Sequence, residues 1–206
     1  MIQPMFRTFA LILTLNLSLA AGAAGAGTPT DIVKGTVDEV IRLMGDPALK
    51  APAQKPRRRE LMKQAIDRHF DYEEMARRSL GANWKNLSPA QHSEFVKLFG
   101  ELLEASYSSK IERYTDEKVK YTSENLEEDY AEVRSVVLRK NDRIPIDYRL
   151  YKSDRGWMIY DVVIEGVSLV SNYRSQFTRI IGESSYGELV RRLRNKVTEV
   201  HQTDNI

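Results

Sequence analysis

Asp161 is the side chain best placed for acid–base chemistry. It stands in a largely apolar stretch between Tyr160 and Val162, near Trp157 and Tyr148. A carboxylate buried beside phenols has a raised pKa and could act as a general base toward a small apolar substrate. The more common fate of such a residue is structural, held by backbone donors, a tyrosine or an arginine near a strand end, and that role is expected here. The three histidines, His69, His92 and His201, are spread over two helical stretches and the tail. Metal ligation needs a third and fourth ligand that this spacing does not supply. His69 is expected to border the core, and His92 to lie in the exposed first turn of a helix. The sequence has no cysteine, which excludes disulfides, zinc–thiolate and iron–sulfur sites, a thiol nucleophile and a lipidated N-terminal cysteine. It holds no G-x-S-x-G, P-loop, H-E-x-x-H or dinucleotide fingerprint. No catalytic residue, metal or cofactor is expected.

The aromatic residues carry more signal. Of ten tyrosines, eight lie between Tyr107 and Tyr173. Strand propensity explains part of that clustering. The rim of an apolar pocket suits the remainder, because the ring packs while the hydroxyl meets water. Basic clusters at residues 55–59, 77–78 and 191–196 read first as solvated helix faces, and second as contacts for anionic lipid or an acidic partner. Over all 206 residues, 31 basic and 29 acidic side chains leave a net charge of +2. That balance is too even for a general nucleic-acid binder. Mean hydropathy is −0.45, which excludes a polytopic membrane protein, and a hydrophobic share of 42% is ordinary for a globular chain.

The elements that position these residues divide into a helical half and a strand half. Over 30–44, Val33, Val37, Val40, Ile41 and Met44 share one helical face, and Gly45-Asp46-Pro47 stops it. After a polar, proline-containing connection, Leu61, Met62, Ala65, Ile66 and His69 form a second stripe. Asp71 with Glu74 reads as a capping box that opens a short helix ending at Gly81. Ser88-Pro89-Ala90-Gln91 puts a hydroxyl at N-cap, proline at N1 and glutamine at N3 of the longest helix, which runs to about Tyr114. Its broad stripe is Phe95, Leu98, Phe99, Leu102, Leu103 and Tyr107, with Ile111 or Tyr114. Beyond Asp116 the period falls to 2. Strands are expected from Val119 and Tyr121 onward, then over 130–140, 144–151 and 157–164, with 123–129 as an acidic turn region. The last strand is apolar on both faces, so both must be covered. Two closing helices follow, the first carrying Leu169, Val170, Tyr173, Phe177, Ile180 and Ile181. The order is α+β: 27–115 mainly helical, 116–165 sheet and 166–200 closing helices, within one domain over 27–206. A four-stranded antiparallel sheet wrapped by helices tends to leave a cavity between the layers.

Residues 1–26 read as an address. Arg7 is the single charge before the apolar run 9–20, and only small residues follow up to Gly27. That is the layout of a secretory signal peptide, with cleavage after Ala23 or Ala26. The run is too short to span a bilayer. A soluble periplasmic protein of about 180 residues is expected, long enough to bury an adequate core without disulfides.

Phe70-Asp71-Tyr72 with Met75-Ala76, Leu80-Gly81, Trp84 and Ser88-Pro89-x-Gln91, then Phe95 and Phe99, resembles the MlaC family. These are periplasmic phospholipid-binding proteins, also described as toluene-tolerance auxiliary proteins. Asp147-Tyr148-Arg149-Leu150, Gly156-Trp157, Tyr160-Asp161-Val162, Glu165-Gly166-Val167-Ser168-Leu169, Tyr173-Arg174 and Phe177 continue the match. It covers about 30–200, and the order of the pieces is more specific than any one of them. The resemblance implies an NTF2-like sheet with added helices, whose cavity takes phospholipid acyl chains while the headgroup stays outside. It also implies a shuttle between an outer-membrane lipoprotein complex and an inner-membrane ABC transporter, maintaining outer-membrane lipid asymmetry. The chain is expected to act as a monomer, not as an enzyme.

The expected lining is Phe99, Leu103 and Tyr107 from the long helix, Val137, Ile146, Tyr148, Leu150, Tyr160 and Val162 from the sheet, and Val170, Tyr173 and Phe177 from the closing helix. Strand parity over 157–164 leaves Ile159 and Val163 as the alternate set. A two-chain site calls for roughly 1,000 Å³, the upper size of ligand pockets. Two rival readings are an NTF2-like enzyme using Asp161, and an adaptor of an ABC transporter that binds only proteins.

Overall fold

The computed structural model describes residues 27–113, 117–140 and 142–203. Residues 1–26, expected to be a signal peptide, lie outside the described residues, as do Tyr114, Asn141 and the His201 side chain.

Helix α1 (Pro29–Gly45) starts at a reciprocal cap, in which the Thr28 hydroxyl accepts from the Asp31 amide and the Asp31 carboxylate accepts from the Thr28 amide. Its N-terminal half sets Val33 on the sheet among Ala131, Val133, Leu150 and Trp157. Its C-terminal half sets Val40 and Leu43 against Met62 and Ala65 of α2 (Lys55–Asp67). One amphipathic helix thereby fastens α2 to the sheet layer. Helix α3 (Tyr72–Leu80) is capped by Asp71, whose carboxylate accepts from the Glu74 amide at 3.0 Å. The reciprocal half of the expected box is absent, because the Glu74 carboxylate is taken by Arg77 and Arg78. Gly81 ends α3 at φ 56°, a region that L side chains rarely adopt.

Helix α4 (Pro89–Glu112) begins with the full Ser88–Gln91 capping box. Its first half buries Phe95, Leu98, Phe99 and Leu102 in a helical core with α5 (Leu169–Glu183) and α6 (Tyr186–Thr203). Phe177 of α5 meets Phe95 and Phe99 edge-on at centroid distances of 5.7 and 5.8 Å, the arrangement that ring quadrupoles favour.

The sheet is antiparallel throughout, in the order β1 (Lys118–Glu127), β2 (Tyr130–Arg139), β3 (Asp142–Ser153), β4 (Gly156–Ile164) and β5 (Val167–Ser168). It therefore has five strands rather than the expected four. Two residues are too few for β5 to show a period. The polar stretch 123–129 is not a turn region: β1 runs on to Glu127, and Glu128 at φ 51° with Asp129 makes the reversal. That end of β1 is exposed on both faces, so its residues carry no alternation to read. Thr30 of α1 ties it down, its amide and hydroxyl donating to Glu124 at 2.8 and 2.5 Å.

A bulge in β4 resolves the parity of 157–164. Arg149 pairs with Asp161 and Leu150 with Ile159, so Tyr160 is the extra residue. Ile159 and Val162 consequently join the same apolar cluster, with Leu150 and Trp157. Each of the two alternate sets is half present on that face, because a bulge breaks the period of 2. The open edge of β4 beside β5 is closed by residues 69–71. Ile159 donates to the His69 carbonyl at 2.7 Å, and Asp71 donates to the Ile159 carbonyl at 2.9 Å. Among the described residues no helix is long and apolar enough to cross a membrane.

Candidate functional site

An apolar cavity of about 250 Å³ lies between the helices and the β3–β4 face of the sheet. Helix α4 contributes Leu103, Tyr107 and Ile111, four residues apart and so on one line, together with Glu104 and Ser108. The sheet contributes two cross-strand pairs, Tyr148 opposite Val162 and Ile146 opposite Ile164. Helix α2 contributes Arg59, Met62, Lys63 and Ile66, while Phe70, Tyr72, Met75 and Leu169 complete the wall. The cavity is smaller than the roughly 1,000 Å³ that a site for two acyl chains calls for.

Its charged groups are Arg59 and Lys63 on α2 and Glu104 on α4. Arg59 is clasped across to the end of α4, its Nε and one terminal nitrogen donating to Glu112 at 3.1 and 2.8 Å, and Arg58 adds a third bond at 3.2 Å. Burial alone would raise the Glu112 carboxyl, but these guanidinium bonds and charges hold it below the ordinary carboxylate range. Lys63 pairs with Asp67 one turn along α2. Deeper in, desolvation pushes the Tyr107 phenol up to about 12 and raises Tyr72 as well, so both are neutral wall groups at physiological pH.

Leu103, Tyr107, Ile146, Tyr148 and Val162, all expected on the lining, stand together on this wall. The other seven stand elsewhere. Phe99, Val170, Tyr173 and Phe177 belong to the helical core or pack against it, because α5 and α6 cover the first half of α4. Leu150 is fully buried beneath Val33 of α1. Val137 is buried on β2. Tyr160, displaced by the bulge, lies beneath the Arg78 guanidinium at 3.9 Å and edge-on to Tyr130. The sequence reading missed Met62, Ile66, Phe70 and Met75 as wall residues. Met62 and Ile66, one turn apart in the α2 stripe, were the available signal.

Asp161 is 1% exposed and is not part of the cavity wall. It accepts from the Ser168 hydroxyl at 2.6 Å, the Val170 amide at 3.1 Å and Arg149 at 3.2 Å. Ser168 is itself the N-cap of α5, accepting from the Ser171 amide at 3.0 Å. Asp161 thus fixes the start of α5 onto β4, and its oxygens are occupied. Asp161→Ala is expected to lower stability by about 3 kcal/mol, since it strips a buried hydrogen-bonded network of its acceptor; a urea midpoint unchanged from wild type would contradict this role.

His92 is not exposed as expected: its ring stacks on Trp84 at 3.9 Å and its Nε2 lies 2.9 Å from the Trp84 carbonyl oxygen. Among the described residues no group of histidines and carboxylates could hold a metal ion. In two of the basic clusters the arginines are paired with carboxylates, Arg77 and Arg78 with Glu74, Arg191 and Arg192 with Glu188, and Arg194 with Glu94 of α4.

Fold and site together define an α+β protein in which an apolar cavity, whose charged lining residues come from α2 and α4, lies between a bulged antiparallel sheet and its helices. The chain belongs to the MlaC family: the family model described as MlaC protein matches residues 34–195. The intermembrane phospholipid transport system binding protein MlaC of Haemophilus influenzae is 25% identical over 126 residues, 58% of this chain and 59% of that protein. The match therefore spans less than two thirds of that relative's length. A phospholipid-binding protein from Ralstonia solanacearum, solved in complex with a phospholipid, superposes with a TM-score of 0.75 at 28% identity, covering 82% of this chain and 97% of that one.

Proposed function

We propose that this chain binds phospholipid with acyl chain inside the cavity and carries it, without catalysing a reaction, through the periplasm. Its termini of transport are an outer-membrane lipoprotein complex and an inner-membrane ABC transporter complex. The observation that carries the reading is the cavity wall itself, built mainly from aliphatic and aromatic side chains, with Arg59, Lys63 and Glu104 of α2 and α4 as its charged members. The membership in the MlaC family and the phospholipid held by the Ralstonia solanacearum protein support it.

The energetics suit a carrier. Taking about 30 methylenes out of water at about 0.8 kcal/mol each would release roughly 24 kcal/mol, beyond any practical affinity. The exchange that matters is bilayer interior for cavity, apolar for apolar, and it lies near zero. Such a protein needs neither a hydrolysing residue nor a tight clamp. At the roughly 30 Å³ of a water-sized group, 250 Å³ takes on the order of eight such groups. Holding two chains therefore requires the wall to yield, and Met62 and Met75 on it are the unbranched, adaptable kind of side chain that permits repacking.

The test is transfer of labelled phospholipid between two sets of proteoliposomes, one bearing each membrane complex. Transfer that rises in proportion to added protein is expected. A rate that the protein leaves unchanged would contradict the proposal.

A further inference from the structure

Along β2, Ala131, Val133, Ser135 and Val137 are buried, the first two in the cluster with Val33 of α1, and the residues between them point to the opposite face of the sheet. On that second face the cross-strand register sets side chains in rows. Lys118 of β1, Leu138 of β2 and Arg143 of β3 form one row beside the β2–β3 hairpin, and Lys120, Val136 and Pro145 form the next. At about 4.8 Å between strands, Lys118 and Arg143 stand roughly 10 Å apart with Leu138 between them. Leu138, Arg139, Lys140, Asp142 and Arg143 also border one open depression at the tip of the hairpin. The cations of this tip are unclaimed. Lys118, Lys120, Lys140 and Arg143 are exposed, and among the described residues none of their side chains makes an ion pair or hydrogen bond. Arg139 is taken by Glu117 at 3.0 Å, and Asp142 accepts from the Arg143 amide at 2.7 Å. Toward the middle of the sheet the same face is balanced: Arg134 lies opposite Asp147, and Glu132 pairs with Arg134 at 2.7 Å and with Arg149 at 3.6 Å. The basic excess belongs to the tip.

We propose that this tip of the sheet docks on an anionic bilayer surface. Three of the four unpaired cations are lysines, compact charges on flexible stems that meet a phosphate without the fixed fork geometry of an arginine pair. Near a negatively charged membrane each such side chain adds to the attraction. Val136 and Leu138, half-buried between the cations, and the exposed Pro145 give the face an apolar strip. Lysine stems lie along such a strip while their ammonium groups reach headgroups. A protein interface is centred instead on aromatic and arginine anchors, and the two rows contain no aromatic residue. The docking does not depend on what the cavity holds.

The experiment sediments purified protein with vesicles of phosphatidylcholine alone or of an equal mixture with phosphatidylglycerol, at low and at high salt. At low salt the wild type should partition onto the mixed vesicles more than about 100-fold better than onto phosphatidylcholine, and screening at high salt should remove most of that preference. One basic side chain near an anionic surface is worth about fivefold in partitioning. The pair Lys140→Ser and Arg143→Ser should therefore lower binding to the mixed vesicles about 25-fold, and the pair Lys118→Ser and Lys120→Ser should do the same. Arg191→Ser with Arg192→Ser removes as much charge from a cluster already paired with Glu188, and should change binding by about twofold at most. Equal losses in the tip variants and this control, or tip variants that bind like wild type, overturn the proposal. Wild-type protein that binds both vesicles equally, or neither, overturns it too and leaves the face to an acidic protein partner.

Discussion

Val162→Glu should yield a folded protein that no longer retains phospholipid. Val162 is 8% exposed and pairs directly with Tyr148 across β3 and β4, so the two side chains form one patch of the cavity wall. The cations of the wall, Arg59 and Lys63, are already paired with Glu112 and Asp67, and burying a carboxylate on that patch under an acyl chain costs several kcal/mol. With no chain above it, the cavity admits water to the carboxylate and the fold is spared most of that cost. The variant therefore separates binding from folding. At about 1.4 kcal/mol per decade, a penalty near 3 kcal/mol lowers affinity about 100-fold, which reads as loss of extractable phospholipid at a urea midpoint close to wild type. Tyr148→Glu attacks the same patch from β3 and should behave alike. If either variant folds and keeps its full lipid load, this wall does not hold the chain.

Phe177→Ala should do the opposite, destabilising the fold through residues that do not touch the cavity. Phe177 is 3% exposed and meets Phe95, Phe99 and Tyr173 at centroid distances of 5.7, 5.8 and 5.5 Å. Truncating a buried phenylalanine costs about 3–5 kcal/mol through lost transfer energy and the void left behind. That is a large share of the 5–15 kcal/mol that typically holds a domain together. The measurement is urea unfolding, with a lower midpoint and an unchanged slope. A cost below about 1 kcal/mol, accompanied by lost lipid, would show that Phe177 lines the binding site and that wall and core have been divided in the wrong place.

That division marks the limit of what the letters disclose. The start of α4 was legible because a capping box is local chemistry: Ser88, Pro89 and Gln91 meet the first turn whatever packs on it. The fate of the helix's stripe was not. Phe95 and Phe99 continue without interruption into Leu103 and Tyr107, yet only the second pair, which packs in or against the same helical core, also borders the cavity. Which neighbour covers a stripe is a long-range fact, and period 3.6 carries no trace of it. Tyr160 fails for another reason. A single inserted residue in β4 returns Val162 to the face of Ile159, so an alternation counted along the chain is off by one beyond the bulge. The edge contributed by residues 69–71 is equally silent, because a bridge made through Asp71 and Ile159 backbone groups needs no particular side chain. Asp161 was readable in type, a buried carboxylate in an apolar strand, and its duty at the start of α5 became plain only with Ser168 and Val170 beside it.

Native mass spectrometry of the freshly purified wild-type chain tests the central claim most directly. The account predicts a species heavier than the polypeptide by the mass of a phospholipid, one per chain, which reverts to polypeptide alone on denaturation. A spectrum showing only the bare polypeptide under gentle conditions, before and after incubation with phospholipid vesicles, would contradict it.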